Sequence, residues 1–137
     1  MNKNWSAVNA TELSQIVRGY IITALWTEEE RINQENDETK KSIDDLSIDD
    51  YAPNSLVKAN KDIKEFIELA GDSVCQYLED YDCEQLGHDI WLTRNRHGAG
   101  FFDRKLDDEV ETALTNATHE LGEVGLYLNT NMQLVFV

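Results

Sequence analysis

Between Asn9 and about Trp26 the apolar residues Leu13, Ile16, Val17, Tyr20, Ile21, Ala24 and Leu25 recur at intervals of three and four. That spacing puts them on one stripe and predicts an amphipathic helix. Asn9 can cap it, and Glu12 stands where a capping box closes. From Glu28 to Asp50 the period stops, leaving Ile32, Ile43, Leu46 and Ile48 as isolated tethers. This stretch reads either as a solvated connector, about residues 28–52, or as an extension of the first helix. After Pro53, which disfavours helix at Ala52, periodicity returns with Leu56, Ala59, Ile63, Phe66, Ile67 and Ala70 and continues through Val74, Tyr77, Leu78 and Tyr81. Gly71-Asp72-Ser73 offers a C-cap followed by an N-cap, so two helices with a tight joint are expected there.

At Gly87 the pattern changes. His88 to Arg94 alternates Ile90 and Leu92 with Trp91 and Thr93, which predicts a strand. Gly98-Ala99-Gly100 then permits a reversal into Phe101-Phe102-Asp103-Arg104, giving a hairpin. Asp107 or Asp108 can cap a further helix with Val110, Ala113, Leu114, Ala117 and Leu121 inward and Gly122 at its end. Leu126–Leu128 and Met132–Val137, around Asn129-Thr130-Asn131, read as a second hairpin. The expected class is α+β: N-terminal helices, then a small, mostly antiparallel sheet of two hairpins interrupted by one helix, all in a single domain over residues 1–137.

Charge alters this picture more than composition does. The 137 residues carry 27 Asp and Glu against 12 Lys and Arg, a formal charge of −15, with 41% hydrophobic residues and one proline. Three Trp, five Tyr and four Phe supply enough apolar bulk for a folded core. No apolar run approaches the ~20 residues that span a bilayer, and the polar start is unlike a secretory signal, so a cytoplasmic protein without membrane contact is expected. Cys75 and Cys83 make no disulfide framework and no zinc pair, and no cofactor motif is present. A negative balance of this size opposes nucleic-acid binding by the surface as a whole.

The charge is uneven. Residues 88–105 hold Arg94, Arg96, Arg104, Lys105, His88 and His97 against Asp89 and Asp103, so this segment nets +2 and the remainder −17. Arg94, Arg96, His97 and Arg104 around the Gly-x-Gly turn have the chemistry to hold a phosphate or carboxylate, with Trp91 or Phe102 as a stacking surface for a base. On the alternative reading the aromatics are core and the arginines pair with Asp89, Asp103 or the acidic connector. His97 with Asp103 or Asp89 is the one acid/base arrangement the segment offers. A metal site from His88, Asp89, His97 and Asp103 matches no common spacing.

The run from Gly87 to Arg104, GHDIWLTRNRHGAGFFDR, resembles the signature of a family of small bacteriophage and prophage proteins, which reads close to HDFWLTRNGHGAGFWDR. The likeness extends more loosely to the first helix, the Leu56–Ala70 helix and the C-terminal hairpin. Ile90, Arg96 and Phe102 depart from the family's Phe, Gly and Trp, and Asn129-Thr130-Asn131 stands in place of an Asp- and Gly-rich turn. The resemblance implies a phage-encoded accessory protein in the host cytoplasm and implies no reaction.

Joined to −15, it predicts action by binding a protein, in particular a basic protein that handles nucleic acid, by imitating a phosphate backbone. The expected binding face is Glu28, Glu29, Glu30, Glu35, Asp37, Glu38, Asp44 and Asp45. The alternative is an anion, nucleotide or single-stranded nucleic-acid site at residues 88–105, and an enzyme using His97 and Asp103 stands behind both.

Overall fold

The computed structural model describes residues 8–35 and 47–137. Along them run α1 (Ala10–Glu35), α2 (Pro53–Ala70), α3 (Asp72–Asp80), α4 (Cys83–Arg94) and α5 (Asp108–Glu120), then the strands β1 (Leu126–Leu128) and β2 (Leu134–Phe136). Single 3-10 turns lie at Ile48–Asp50 and Phe101–Asp103. The class is α+β.

The capping box at the start of α1 forms as its residues dictate: Glu12 N–H donates to Asn9 Oδ1 at 2.8 Å and Asn9 N–H to Glu12 Oε1 at 3.0 Å. The helix passes Trp26 and runs to Glu35, so the first part of the acidic stretch extends α1. What holds the extension is apolar and cationic: Ile32 is buried, and the Arg31 guanidinium lies 4.5 Å above the Tyr127 ring while donating to the Leu126 carbonyl. Pro53 opens α2, where its missing N–H costs nothing. Gly71, at φ +62°, ends it, its N–H donating to Ile67 O at 3.0 Å, and α3 starts at the next residue.

The expected first hairpin is absent. Cys83–Arg94 is a helix, capped by Asp82, whose carboxylate accepts from Gln85 N–H at 2.8 Å. Phe101–Asp103 is a 3-10 turn, not a strand. The reason lies in burial. Every residue from Asp89 to Arg94 is buried, and a helix covered on all sides shows no 3.6-residue period, while Ile, Trp and Thr raise the apparent strand propensity.

α4 ends in a Schellman motif: His97 N–H donates to Leu92 O at 3.0 Å and Arg96 N–H to Thr93 O at 3.2 Å, with Arg96 at φ +55° in the left-handed position usually held by glycine. The second hairpin is as expected. Leu126 pairs with Phe136, Tyr127 with Val135 and Leu128 with Leu134, and Asn129 Oδ1 fixes the turn by accepting from Asn131 and Gln133 N–H. β2 reaches across the start of α2, since Ala52 N–H donates to Leu134 O and Phe136 N–H to Ser55 Oγ.

The buried side chains form one cluster around α4. Its closest neighbour is α1, and glycine makes that approach possible. A Cβ on Gly87 would stand 1.9 Å from Ile16 O, and one on Gly19 would stand 2.0 Å from Glu84 O. With the backbones in contact, Tyr20 meets Trp91 edge to face at 5.3 Å, and Phe136 packs on both rings. On the other flank Phe101 stacks on Phe66 at 6.1 Å and meets Tyr77 edge to face at 5.7 Å.

Candidate functional site

The basic segment expected to meet an anion is largely built into the interior. Arg94 is 3% exposed. Four of its five N–H donors are engaged: Nη1 donates to Tyr20 Oη at 2.7 Å and Asp62 Oδ2 at 2.9 Å, Nη2 to Leu121 O at 3.1 Å, and Nε to Gly122 O. The guanidinium therefore ties α1, α2 and the end of α5 to α4. A buried charge is tolerable only when so paired. Burial raises the Tyr20 hydroxyl to a pKa of about 12, with Arg94 opposing and Asp62 reinforcing the shift.

Asp89, fully buried, anchors a second knot. It accepts from Tyr77 Oη at 2.7 Å and takes a two-pronged contact from Arg104, Nε at 2.8 Å and Nη2 at 2.9 Å. With the Gln85 amide turned so that its oxygen faces Arg104, it accepts from both Nη atoms at 3.1 Å. Burial, then the neighbouring Asp89 charge, pushes the Tyr77 hydroxyl well above its ordinary pKa. The hydrogen bonds to Asp89 hold Arg104 more firmly protonated still.

Several other residues of the Gly87–Arg104 segment have comparable tasks. Trp91 is fully buried and its Nε1–H donates to Thr27 Oγ1 at 2.8 Å. Thr93 Oγ1 accepts from Phe101 N–H. Asn95 Oδ1 accepts from Val124 N–H, and Asp103 Oδ2 from Gly100 N–H. Arg94 and Trp91, expected as anion and stacking contacts, are thus interior groups, and the Gly100 amide expected for an anion is taken by Asp103.

Of the expected anion contacts, Arg96 and His97 stay at the surface, and they face different neighbours. Arg96 Nε lies 3.9 Å from Glu123, and His97 Nε2 lies 4.0 Å from Glu28. The pairing of His97 with Asp103 as acid and base is not formed, because these contacts draw the two side chains to different partners. Among the described residues no group of three or more His, Cys, Asp or Glu is placed to hold a metal ion, and no helix is long and apolar enough to cross a membrane.

The expected acidic face divides. Glu28 is described and paired with Arg31 at 3.0 Å, and Glu30 is exposed. Glu29 and Glu35 fall on α1 where only the backbone is described, and Asp37, Glu38, Asp44 and Asp45 lie outside the described residues.

Two surface features were not anticipated. The first is a carboxylate face. Asp72, Glu79, Asp80, Asp82 and Glu84 line α3 and the start of α4, and Asp107, Asp108, Glu109, Glu111, Glu120 and Glu123 line α5 and its flanks, with no Lys or Arg in either stretch. All except the partly buried Glu111 are exposed, and α3 packs on α5, so the two stretches adjoin. Between them runs a groove of about 560 Å³ edged by Ser73, Gln76, Asp107, Asp108 and Glu109.

The second feature lies where α1 crosses α4. Trp26, 64% exposed, stacks on His88 at 6.4 Å with 27° between the rings, and Ile22 one turn earlier is 39% exposed. His88 lines a groove of about 400 Å³ together with Ile22, Thr23, Asp82, Glu84 and Arg104. Thr23 Oγ1 donates to Gly19 O at 2.7 Å and lies 2.9 Å from His88 Nδ1. A hydroxyl has one proton, so Nδ1 carries the hydrogen of that second bond and the neutral ring keeps Nε2 as an acceptor. Ile22 and Trp26 stand off the apolar stripe of the first helix, and that mismatch is the signal in the sequence that would have found them.

Comparison of the chain with protein-family models, curated proteins and solved structures finds no match.

Proposed function

We propose that the protein acts by binding, as an accessory protein of phage origin that engages a basic, nucleic-acid-handling protein through its acidic surface. One observation carries the reading: the packing of α3 on α5 brings together two stretches that carry eleven carboxylates and no Lys or Arg of their own, with Arg18, Arg96 and Lys105 as the cations at their edges. Carboxylates in such density imitate the charge of a phosphate backbone and steer a cationic partner by long-range attraction. The signature segment contributes differently from what its charge suggests. Arg94, Arg104 and Asp89 hold the helices that carry the carboxylates, and with Arg94 and Trp91 enclosed the geometry does not favour an anion site there.

The test is capture from a bacterial lysate at low salt, with duplex DNA added as competitor. The expected result is retention of nucleic-acid-binding proteins that are displaced by DNA and released as salt shortens the Debye length from about 10 Å at 0.1 M to about 3 Å at 1 M. Retention insensitive to both salt and DNA, or no retention, overturns the proposal.

A further inference from the structure

We infer that the α1–α4 groove is the anchor point of that interface and receives an arginine side chain of the partner, with Trp26 and His88 as its recognition elements. The inference rests on the acidic-surface reading and adds to it a position and a chemistry. Three kinds of group that a guanidinium favours lie in the groove or, as Trp26 does by stacking on His88, beside it. The indole of Trp26 leaves most of its surface in solvent and offers a π face to a cation. His88, oriented by Thr23 through Nδ1, turns its Nε2 away from that bond, an acceptor whenever the ring is neutral. Asp82 and Glu84 edge the same groove with negative charge.

The cations already at the groove are occupied. Arg104 is committed to Asp89, and Arg18 pairs with Glu84 at 3.5 Å across an exposed contact of little worth. An incoming guanidinium therefore meets a net negative site with an aromatic platform. Charge complementarity selects a basic segment over a second copy of this acidic chain. Ile22, partly exposed beside Trp26, gives the methylene stem of an arginine an apolar surface. Asp80, Asp82 and Glu84 follow one another at alternate positions, so the groove continues the carboxylate face, and an exposed aromatic at such an edge has the composition of an interface hot spot.

The experiment titrates the whole chain at low salt with a capped hexa-arginine peptide, following the indole N–H resonances by NMR, with hexa-lysine as comparison. The Trp26 indole signal, assigned by its loss in Trp26→Phe, is expected to shift with hexa-arginine and less with hexa-lysine. Trp26→Leu keeps an apolar side chain and removes the π face; it is expected to weaken hexa-arginine binding about five- to tenfold, with Trp26→Phe in between. Since Trp26 is exposed, unfolding midpoints should be unchanged, which separates lost recognition from lost fold.

A second variant, Asp108→Asn with Glu109→Gln, removes charge from the α3–α5 groove. If it weakens binding while Trp26→Leu does not, the acidic-surface reading stands and the arginine anchor is overturned. If Trp26→Leu weakens binding and the charge variant does not, the anchor stands alone and the reading of the wider face falls. A Trp26 signal that does not move, or a chain that dimerises through Trp26 and is monomeric as Trp26→Leu, overturns the inference outright.

Discussion

Replacing Gly87 by alanine tests the α1–α4 crossing on which both knots depend. The added Cβ would lie 1.9 Å from Ile16 O and 2.6 Å from Tyr20 N, both backbone atoms that no rotamer change can move. Real contacts of this kind do not fall below 3.0 Å, so the helices must part by about 1 Å, a gap that already forfeits up to half of the dispersion energy across an interface. Ile16, Tyr20, Leu86, Ile90 and Trp91, all buried within the core cluster, lose contact together. Overpacking of this type costs about 1–3 kcal/mol and sometimes more, whereas alanine gains up to about 1 kcal/mol over glycine in helix propensity. We expect a net loss of about 1–2 kcal/mol, which for a chain of this size lowers the thermal midpoint by roughly 5 °C. Gly19→Ala, with its Cβ 2.0 Å from Glu84 O, should act alike, and the double variant should lose less than the sum, because helices parted once have room for the second methyl. Urea and thermal unfolding give the values. A Gly87→Ala chain as stable as the parent, or more so, would refute the crossing and favour a helix whose glycine is dispensable.

Asp89→Ala should cost about 3–5 kcal/mol, since it leaves the Arg104 guanidinium without its buried partner, and Tyr77→Phe about 1–2 kcal/mol; equal, small losses in denaturant titration would speak against the knot. Arg96→Gly relieves a left-handed residue at φ +55° and should stabilise by roughly 1 kcal/mol; a lowered midpoint would show that the Arg96 side chain matters more than its backbone. In alkali the sign is fixed by Tyr20, whose pKa rises from 10.0 to about 12. The unfolded chain loses this proton first, so stability is intact below pH 10 and declines between about 10 and 12, with the raised Tyr51 and Tyr77 hydroxyls acting in the same sense. Stability rising over that interval, measured by urea midpoints, would contradict the buried placement of these phenols.

The elements legible in the sequence were those with one face in water. α1, α2, α5 and the terminal hairpin each alternate apolar and polar positions at their own period, and Asn9, Pro53, Gly71 and Gly122 mark their ends. α4 was hidden because it has almost no wet face. Its evidence was present in Asp82 as a cap and in Cys83, Leu86, Gly87 and Ile90 at helical spacing, but Gly87 resembles a boundary unless a second backbone is known to press on it. Charge misled in the same way. Arg94, Arg104 and Asp89 count as surface chemistry in a sequence, and only the partners Asp62, Tyr77 and Tyr20, brought from distant segments, turn them into interior ties. The carboxylate face escaped notice because α3 and α5 are separated along the chain and meet only through packing.

The most direct test of the account is the association rate between the chain and a basic protein captured by it, with Glu79→Gln, Asp80→Asn, Asp108→Asn and Glu109→Gln combined and measured at low and high salt. These carboxylates are exposed and cap no helix, so the variant should fold as the parent does. If the carboxylate face steers the partner, association at low salt should slow by about tenfold or more and the difference should vanish at high salt. An unchanged rate at low salt would contradict the claim that this face is where the protein meets its partner.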